Sequence, residues 1–265
     1  MDQNILFIGC GKLGSIILNK LIENKIFTHK QIKVLKKTNN NKIPEIDYLD
    51  KSVLLKNKYS FDLVFVCIKP QNAEKILNKI PKSNFNNNTI FISFLAGKKI
   101  KFFEKIFGEN SKIIRIMPNV AIKVNEGILP YFFNKNITKK DEKELFKIFN
   151  NLGLYFKLEN ENSFNAITAL FGSGPAYIFL LQKILYELSI SYKIKKDIAL
   201  QLVKKLFLGS SIVANTSESF DILIKKVMSK NGTTEQAVNV LNKKNITKKL
   251  FEKAIKKAYE KSRSI

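Results

Sequence analysis

Along roughly the first 155 residues, short β-branched and aromatic runs alternate with amphipathic stretches, the pattern of a parallel sheet covered by helices on both faces. The predicted strands fall at residues 4–8, 31–35, 62–68, 89–95, 112–117, 127–133 and 154–158. Between the first two, Leu13, Ile16, Ile17 and Leu21 recur at helical spacing, so a helix returns the chain to begin a second, parallel strand. From Asn162 onward the strand pattern stops, and the periodicity predicts helices near 163–190, 195–215, 219–228, 234–243 and 246–262. The polar run "ENENS" at Glu159 to Ser163 separates the two regimes, which places an α/β domain at residues 1–159 and an all-helical domain at 160–265.

The first predicted strand runs directly into "GCGKLG", with glycines at 9, 11 and 14. In a dinucleotide-binding turn Gly9 permits the tight bend, Gly11 lets the backbone approach a pyrophosphate, and Gly14 lets helix and strand pack closely. Cys10, Lys12 and Leu13 complete a turn whose helix N-terminus points unpaired N–H groups at the phosphates. A strand-to-helix turn without a ligand has the same glycines. The end of the second strand reads "VLKKTNNN", with no acid before Glu45 to accept ribose hydroxyls. Lys36, Lys37 and Thr38, with Asn39 beside them, suit a 2′-phosphate instead, which favours NADPH and leaves NADH as the alternative. Further strand ends carry Ile68, Lys69 and Pro70, then Ala96 and Gly97, then Met117 and Asn119. Ligands bind beyond the carboxyl ends of parallel strands, so these loops are candidate cofactor contacts as well as ordinary turns.

Composition adjusts this picture. The formal net charge of +24 suggests an anionic partner, but only Arg115 and Arg263 are arginine among the 46 Lys and Arg residues. Scattered lysine is a poor reader of nucleic acid, because bidentate contacts to phosphate and guanine need a guanidinium fork. Cys10 and Cys67 are too few and too far apart in sequence for a disulfide framework or a metal site, so a reducing cytoplasm is the expected setting. With His29 the only histidine, and in the polar "FTHKQ" stretch, neither a histidine triad nor a multi-histidine metal site is expected. "MDQN" does not open a secretory signal, and the most apolar helix, "YIFLLQKILYELSI", is broken by Gln182, Lys183 and Glu187, so no run is expected to approach a membrane span.

Near the C-terminus, "SKNGTTEQAVNVL" places Asn231 and Gly232 in a turn ahead of a helix beginning near Thr233 or Thr234, with Thr233 and Gln236 spaced as a capping box. The N–H groups of such a helix end, rimmed by the hydroxyls of Ser229, Thr233 and Thr234, form a carboxylate-sized cradle. A well-capped helix with no ligand fits the same residues. Upstream, Gly172, Ser173, Gly174 and Pro175 interrupt an apolar helical pattern; proline inside a helix costs about 3 kcal/mol unless it starts or kinks it.

Read together, "FIGCGKLG", "VCIKPQ", "SFLAG", "RIMPNVAIKVNEG", "LFGSGPAY" and "MSKNGTTEQAVNVL" occur in the order seen in the pyrroline-5-carboxylate reductases, which the chain resembles over nearly its whole length. The resemblance implies an N-terminal Rossmann-type dinucleotide-binding domain and an all-α dimerisation domain whose helices interleave with those of a second copy. It implies a cytoplasmic homodimer, or a higher oligomer, that reduces 1-pyrroline-5-carboxylate to L-proline with NADPH in proline biosynthesis, without membrane or nucleic acid. It further implies that Thr234 hydrogen-bonds the imine nitrogen while Ser229, Gly232 and Thr233 hold the carboxylate, with Asn119 also near the substrate. The chain departs from the family at Lys230 and Asn231, at Val120 and Ala121, and around Ser219 and Phe220, where a proline is missing. A β-hydroxyacid dehydrogenase or another imine reductase would keep the fold with a different substrate, and a dinucleotide sensor or nucleic-acid binder would have no chemistry.

Overall fold

A computed structural model describes residues 3–35, 43–56, 59–216 and 218–264. Eight strands form one sheet: β1 (Ile5–Ile8), β2 (Ile32–Leu35), β3 (Asp47–Leu49), β4 (Phe61–Val66), β5 (Phe85–Ser93), β6 (Lys112–Ile116), β7 (Gly127–Phe133) and β8 (Gly153–Lys157). Their spatial order is β3-β2-β1-β4-β5-β6-β7-β8. The helices between them are α1 (Lys12–Glu23), α2 (Lys51–Lys56), α3 (Ala73–Leu77), α4 (Ile100–Phe107) and α5 (Lys139–Phe149). Order reverses at β1, the geometry that opens a ligand crevice at the strand ends of a doubly wound sheet.

β1 is apolar at every position and β4 at all but Asp62, because both faces of the sheet centre are covered. Ile5 and Phe7 of β1 and Leu63 and Phe65 of β4 join Ile17, Leu18 and Leu21 of α1 and Phe149 of α5 in one core. Leu6, Ile8, Val64 and Val66 face the other way, onto Leu77 of α3 and Phe103 of α4. Phe7 and Phe65 stack with ring centroids 4.4 Å apart, which ties β1 to its neighbour β4 on the first face.

Two features differ from the periodicity. β3 is not among the predicted strands; a three-residue strand is too short to display alternation. The sheet is also not wholly parallel, since β7 pairs antiparallel with β6 and β8 then runs parallel to β7. The link from β6 to β7 holds only a 3-10 turn, Val120–Val124, and lacks the crossover helix that a parallel return requires.

The second half of the chain contains α6 (Phe164–Ile167), α7 (Gly174–Ser191), α8 (Lys196–Ala214), α9 (Phe220–Val227), α10 (Thr233–Asn242) and α11 (Ile246–Arg263). Gly172 to Pro175 do not break the helical run. A π-helical turn, Thr168–Gly172, follows α6, and Pro175 then sits in the first turn of α7, where its missing N–H costs nothing. The run Glu161–Ser191 is consequently long and apolar enough to cross a membrane by length and composition. The expectation that no run approaches a span is corrected on that point: because Gly172 to Pro175 continue the helix, the apolar run extends upstream of Gln182, Lys183 and Glu187 as far as Glu161.

By internal packing the chain divides into two compact units, Met1–Gly172 with Tyr259–Ile265, and Ser173–Ala258. The second unit has almost no interior of its own: among its described residues only Ala199 and Val203 of α8 are buried hydrophobics. Phe179 is 58% exposed, Leu206 54% and Ile212 65%.

α5 shows how local chemistry fixes an element. Thr138 caps it, its hydroxyl accepting the Asp141 N–H at 3.2 Å while Asp141 Oδ2 takes the Thr138 N–H at 2.8 Å. Lys112 of β6 adds an ion pair to Asp141 at 2.9 Å. Burial alone would raise the Asp141 carboxyl, but hydrogen bonds from Thr138 and Lys112 outweigh it and hold the group below the usual range. A depressed carboxyl contributes stability above its unfolded pKa, about 4, and loses it as pH falls through the lower folded value. Asp141→Asn should therefore cost about 1 kcal/mol at pH 7, and the gap from wild type in urea unfolding should close below pH 4.

Candidate active site

The glycine-rich turn between β1 and α1 is built by contact with β4. Gly9 has φ +83°, and a Cβ there would lie 2.5 Å from Ile68 Cγ2 and 3.1 Å from the Cys67 carbonyl oxygen. A Cβ on Gly14 would lie 2.9 Å from Cys67 Cβ, so the helix and strand pack at a distance only glycine permits. Gly11 is different: no heavy atom of the other described residues lies within 4 Å of its Cβ position, so the described packing does not require glycine there. The requirement fits a group approaching from outside. Gly11 caps α1 without a side-chain hydrogen bond, and no acidic residue lies in the first turn, so the helix end is free to face an anion. Cys10 is buried, Lys12 is exposed and Leu13 packs against the first core. Burial pushes the Cys67 thiol well up, with nearby Cys10 adding to it, so Cys67 is packing material and not a nucleophile.

The other predicted loops follow the carboxyl ends of adjacent parallel strands. Lys36, Lys37 and Thr38, with Asn39, lie outside the described residues. Beyond β4, Ile68 packs against the glycine turn and Lys69 precedes a short 3-10 turn with Pro70 at its start. Beyond β5, Ala96 and Gly97 lead into α4, Gly97 with φ +72°. Beyond β6 come Met117 and Asn119.

Ala96, Gly97 and Met117 share a cavity of about 530 Å³ with Arg115, Thr168 and Tyr259, all within the first unit. Arg115 is 4% exposed and donates from Nη1 to Glu161 Oε1 at 2.6 Å, its guanidinium 4.6 Å above the Phe164 ring. Burial lowers its pKa, the Glu161 contact opposes that, and a guanidinium keeps its charge regardless. Asn119 does not line the cavity. Its Oδ1 accepts the N–H groups of Ala121 and Ile128, and its Nδ2 donates to the Phe171 carbonyl in the π turn. Both oxygen lone pairs are thus used inside the fold, which leaves one amide N–H for a ligand.

Ser229, Gly232, Thr233 and Thr234 are brought together in the second unit, at the start of α10. The capping differs from the predicted box. Gly232 is the cap and Thr233 the first helical residue, so the side chain that reaches back is Glu235, accepting the Asn231 N–H at 2.7 Å. Asn231 takes the left-handed conformation, φ 60°, whereas Gly232 is extended, φ −83°. With no side chain capping α10, its first N–H groups and the Ser229, Thr233 and Thr234 hydroxyls remain available to an anion.

Sequence reasoning named neither Arg115, Glu161 nor Thr168 as site residues. One signal was present: the chain's only two arginines, Arg115 and Arg263, both line this cavity.

A glycine turn, a helix end free for phosphate and loops gathered at parallel strand ends define a Rossmann-type dinucleotide-binding domain, followed here by an all-helical region. Residues 161–265 match the family model described as "Pyrroline-5-carboxylate reductase dimerisation", and residues 4–97 match "NADP oxidoreductase coenzyme F420-dependent". A pyrroline-5-carboxylate reductase of Aquifex aeolicus is 31% identical over 187 residues, 69% of this chain and 68% of that protein. Among solved structures, the Plasmodium falciparum pyrroline carboxylate reductase with NADP bound superposes with a TM-score of 0.86 at 26% identity, covering 99% of this chain and 97% of that one. The Coxiella burnetii enzyme gives a TM-score of 0.83 at 28% identity, covering 100% and 98%. The chain belongs to the pyrroline-5-carboxylate reductase family.

The glycine turn yields a paired test. Gly11→Val should leave the melting temperature within a few degrees of wild type but weaken dinucleotide binding at least tenfold, as read by fluorescence titration. Gly14→Val should instead lower the melting temperature, because its side chain must displace Cys67.

Proposed function

We propose that the chain reduces 1-pyrroline-5-carboxylate to L-proline, the closing step of proline biosynthesis, with NADPH as the electron donor. The observation that carries the reading is the paired set of anion-ready helix ends: the Gly11 end of α1, open where a Cβ would stand, and the hydroxyl-rimmed Gly232 end of α10. The first suits a pyrophosphate and the second a carboxylate. NADP in the Plasmodium falciparum relative supports the phosphorylated cofactor, and Lys36, Lys37 and Thr38 are the residues proposed for its 2′-phosphate, with NADH as the alternative donor.

Bound NADPH supplies a hydride from its nicotinamide C4 to the imine carbon. The chain's own residues prepare the acceptor. Ser229, Gly232 and Thr233 hold the substrate carboxylate and so fix the ring, while the Thr234 hydroxyl hydrogen-bonds the imine nitrogen. Hydride acceptance improves as that nitrogen gains a proton, but a threonine hydroxyl is a weak acid, so Thr234 orients and relays while water or an already protonated imine supplies the proton. Ile68, Lys69, Pro70, Ala96, Gly97 and Met117 line the cofactor's path from turn to cavity, with Cys10, Lys12 and Leu13 in the turn itself; Asn119 contributes its one spare N–H. Lys230 adds positive charge beside the carboxylate cradle.

The working form is proposed to be a homodimer through the helical unit, or a larger assembly of such dimers, in the cytoplasm. Phe179, Leu206 and Ile212 lie exposed on helices whose unit buries almost nothing alone, and a second copy is the cover that residues 161–265 of this family suggest. The same cover accounts for the apolar stretch Glu161–Ser191 without lipid.

Thr234→Ala should lower turnover of 1-pyrroline-5-carboxylate about 100-fold while NADPH affinity stays within twofold of wild type. NADPH oxidation at an undiminished rate would remove Thr234 from the mechanism, and a wild-type protein inactive on this substrate would remove the assignment. Leu206→Asp combined with Ile212→Asp should reduce the mass measured by light scattering to that of a monomer, and a wild-type monomer at micromolar concentration would contradict the dimer.

A further inference from the structure

Glu161 stands at a junction. Its Oε1 accepts from Arg115 Nη1 at 2.6 Å and from the Ile100 N–H at 2.7 Å. Ile100 opens α4 three residues after Gly97, and Arg115 lies in β6 two residues before Met117. One carboxylate oxygen therefore ties together, beyond the β5–β6 pairing, the two turns that meet at the cavity. Two more links join the same turns to the same helical run: Lys99 Nζ donates to Asn162 Oδ1 at 3.0 Å, and Asn119 Nδ2 donates to the Phe171 carbonyl at 3.2 Å.

The chemistry at this junction is specific to arginine. The guanidinium is 5% exposed at the side chain, bonded at one edge to Glu161 and lying over the Phe164 ring, while Arg115 also lines the cavity. A lysine would carry the charge but has no planar fork to satisfy these contacts together. Lysine fills nearly every other basic position of this chain, so an arginine here points to shape as well as charge. Stability is a weak reason for the pair, because a buried ion pair often contributes no more than neutral groups of the same size.

We propose that Arg115 and Glu161 are positioning residues for hydride transfer, a pair that holds the Ala96–Gly97 and Met117 turns at the spacing the nicotinamide end of the cofactor needs. The inference rests on the NADPH-dependent reduction proposed above. Displacement by about 1 Å costs up to 100-fold in rate when a reacting group must be held in line. The substrate cradle lies in the other unit and should be left as it is.

The test compares R115K, E161Q and the neutral double variant R115M/E161Q with wild type, in the full-length chain. R115K and E161Q are expected to weaken NADPH binding at least tenfold by fluorescence titration and to lower kcat 10- to 100-fold, with the KM for 1-pyrroline-5-carboxylate within threefold of wild type. In the double variant the melting temperature should return to within a few degrees of wild type, while NADPH affinity and kcat stay low. Affinity and kcat that return together with the melting temperature, or an R115K protein within twofold of wild type in both, would overturn the proposal. Should the wild type bind NADPH but not reduce the imino acid, the assigned reaction fails on its own. NADPH dissociation constants for the same variants then decide the pair, tenfold weakening supporting it and unchanged values refuting it.

Discussion

Everything on the dinucleotide side depends on one close approach, that of the Gly9–Gly14 turn to the end of β4. With a Cβ at Gly9 or Gly14, Ile68 or Cys67 would have to move, and α1 could not start where it does. Because the backbone fits there, the N-terminus of α1 points beyond the strand ends with its N–H groups free. The same contact aligns the turn with the loops after β4, β5 and β6, which parallel pairing has already brought to one edge. Of the three glycines of the turn, only Gly11 has no described atom where its Cβ would stand.

The helical unit obeys a different constraint. A hydrophobic helix is stable in water only when something covers it, and α7 to α11 leave large apolar side chains exposed along their length. In the proposed dimer assembly is linked to activity, since the Ser229–Thr234 segment rides on those helices. The first unit, with cores on both sides of its sheet, has no such need.

Where information was local, the sequence was readable. The glycine spacing, the strand that precedes it and the helix that follows lie within twenty residues, and the tight packing expected at Gly9 and Gly14 has a counterpart in what a Cβ there would meet. The five C-terminal helices were legible from periodicity for the same reason. Features decided by distant partners were not. β3 exists because Asp47–Leu49 meets Lys33–Leu35, a pairing invisible in three residues. The π turn at Thr168–Gly172 and the first turn of α7 absorb the Gly172–Pro175 stretch that reads as a break. At the cradle the helix begins with Gly232 as its cap, and that choice of cap decides that Glu235, not Gln236, reaches back. Arg115 was visible only as a rarity in composition, and its meaning required Glu161, 46 positions away.

The central claim is that a hydride passes directly from the reduced dinucleotide to the imine carbon. Deuterium placed at C4 of NADPH, on the transferred face, and followed by mass spectrometry and NMR measures this most directly. One deuterium is expected at C5 of the L-proline formed, with none elsewhere in the ring. Unlabelled proline formed alongside NADPH consumption, or label lost to solvent, would contradict it.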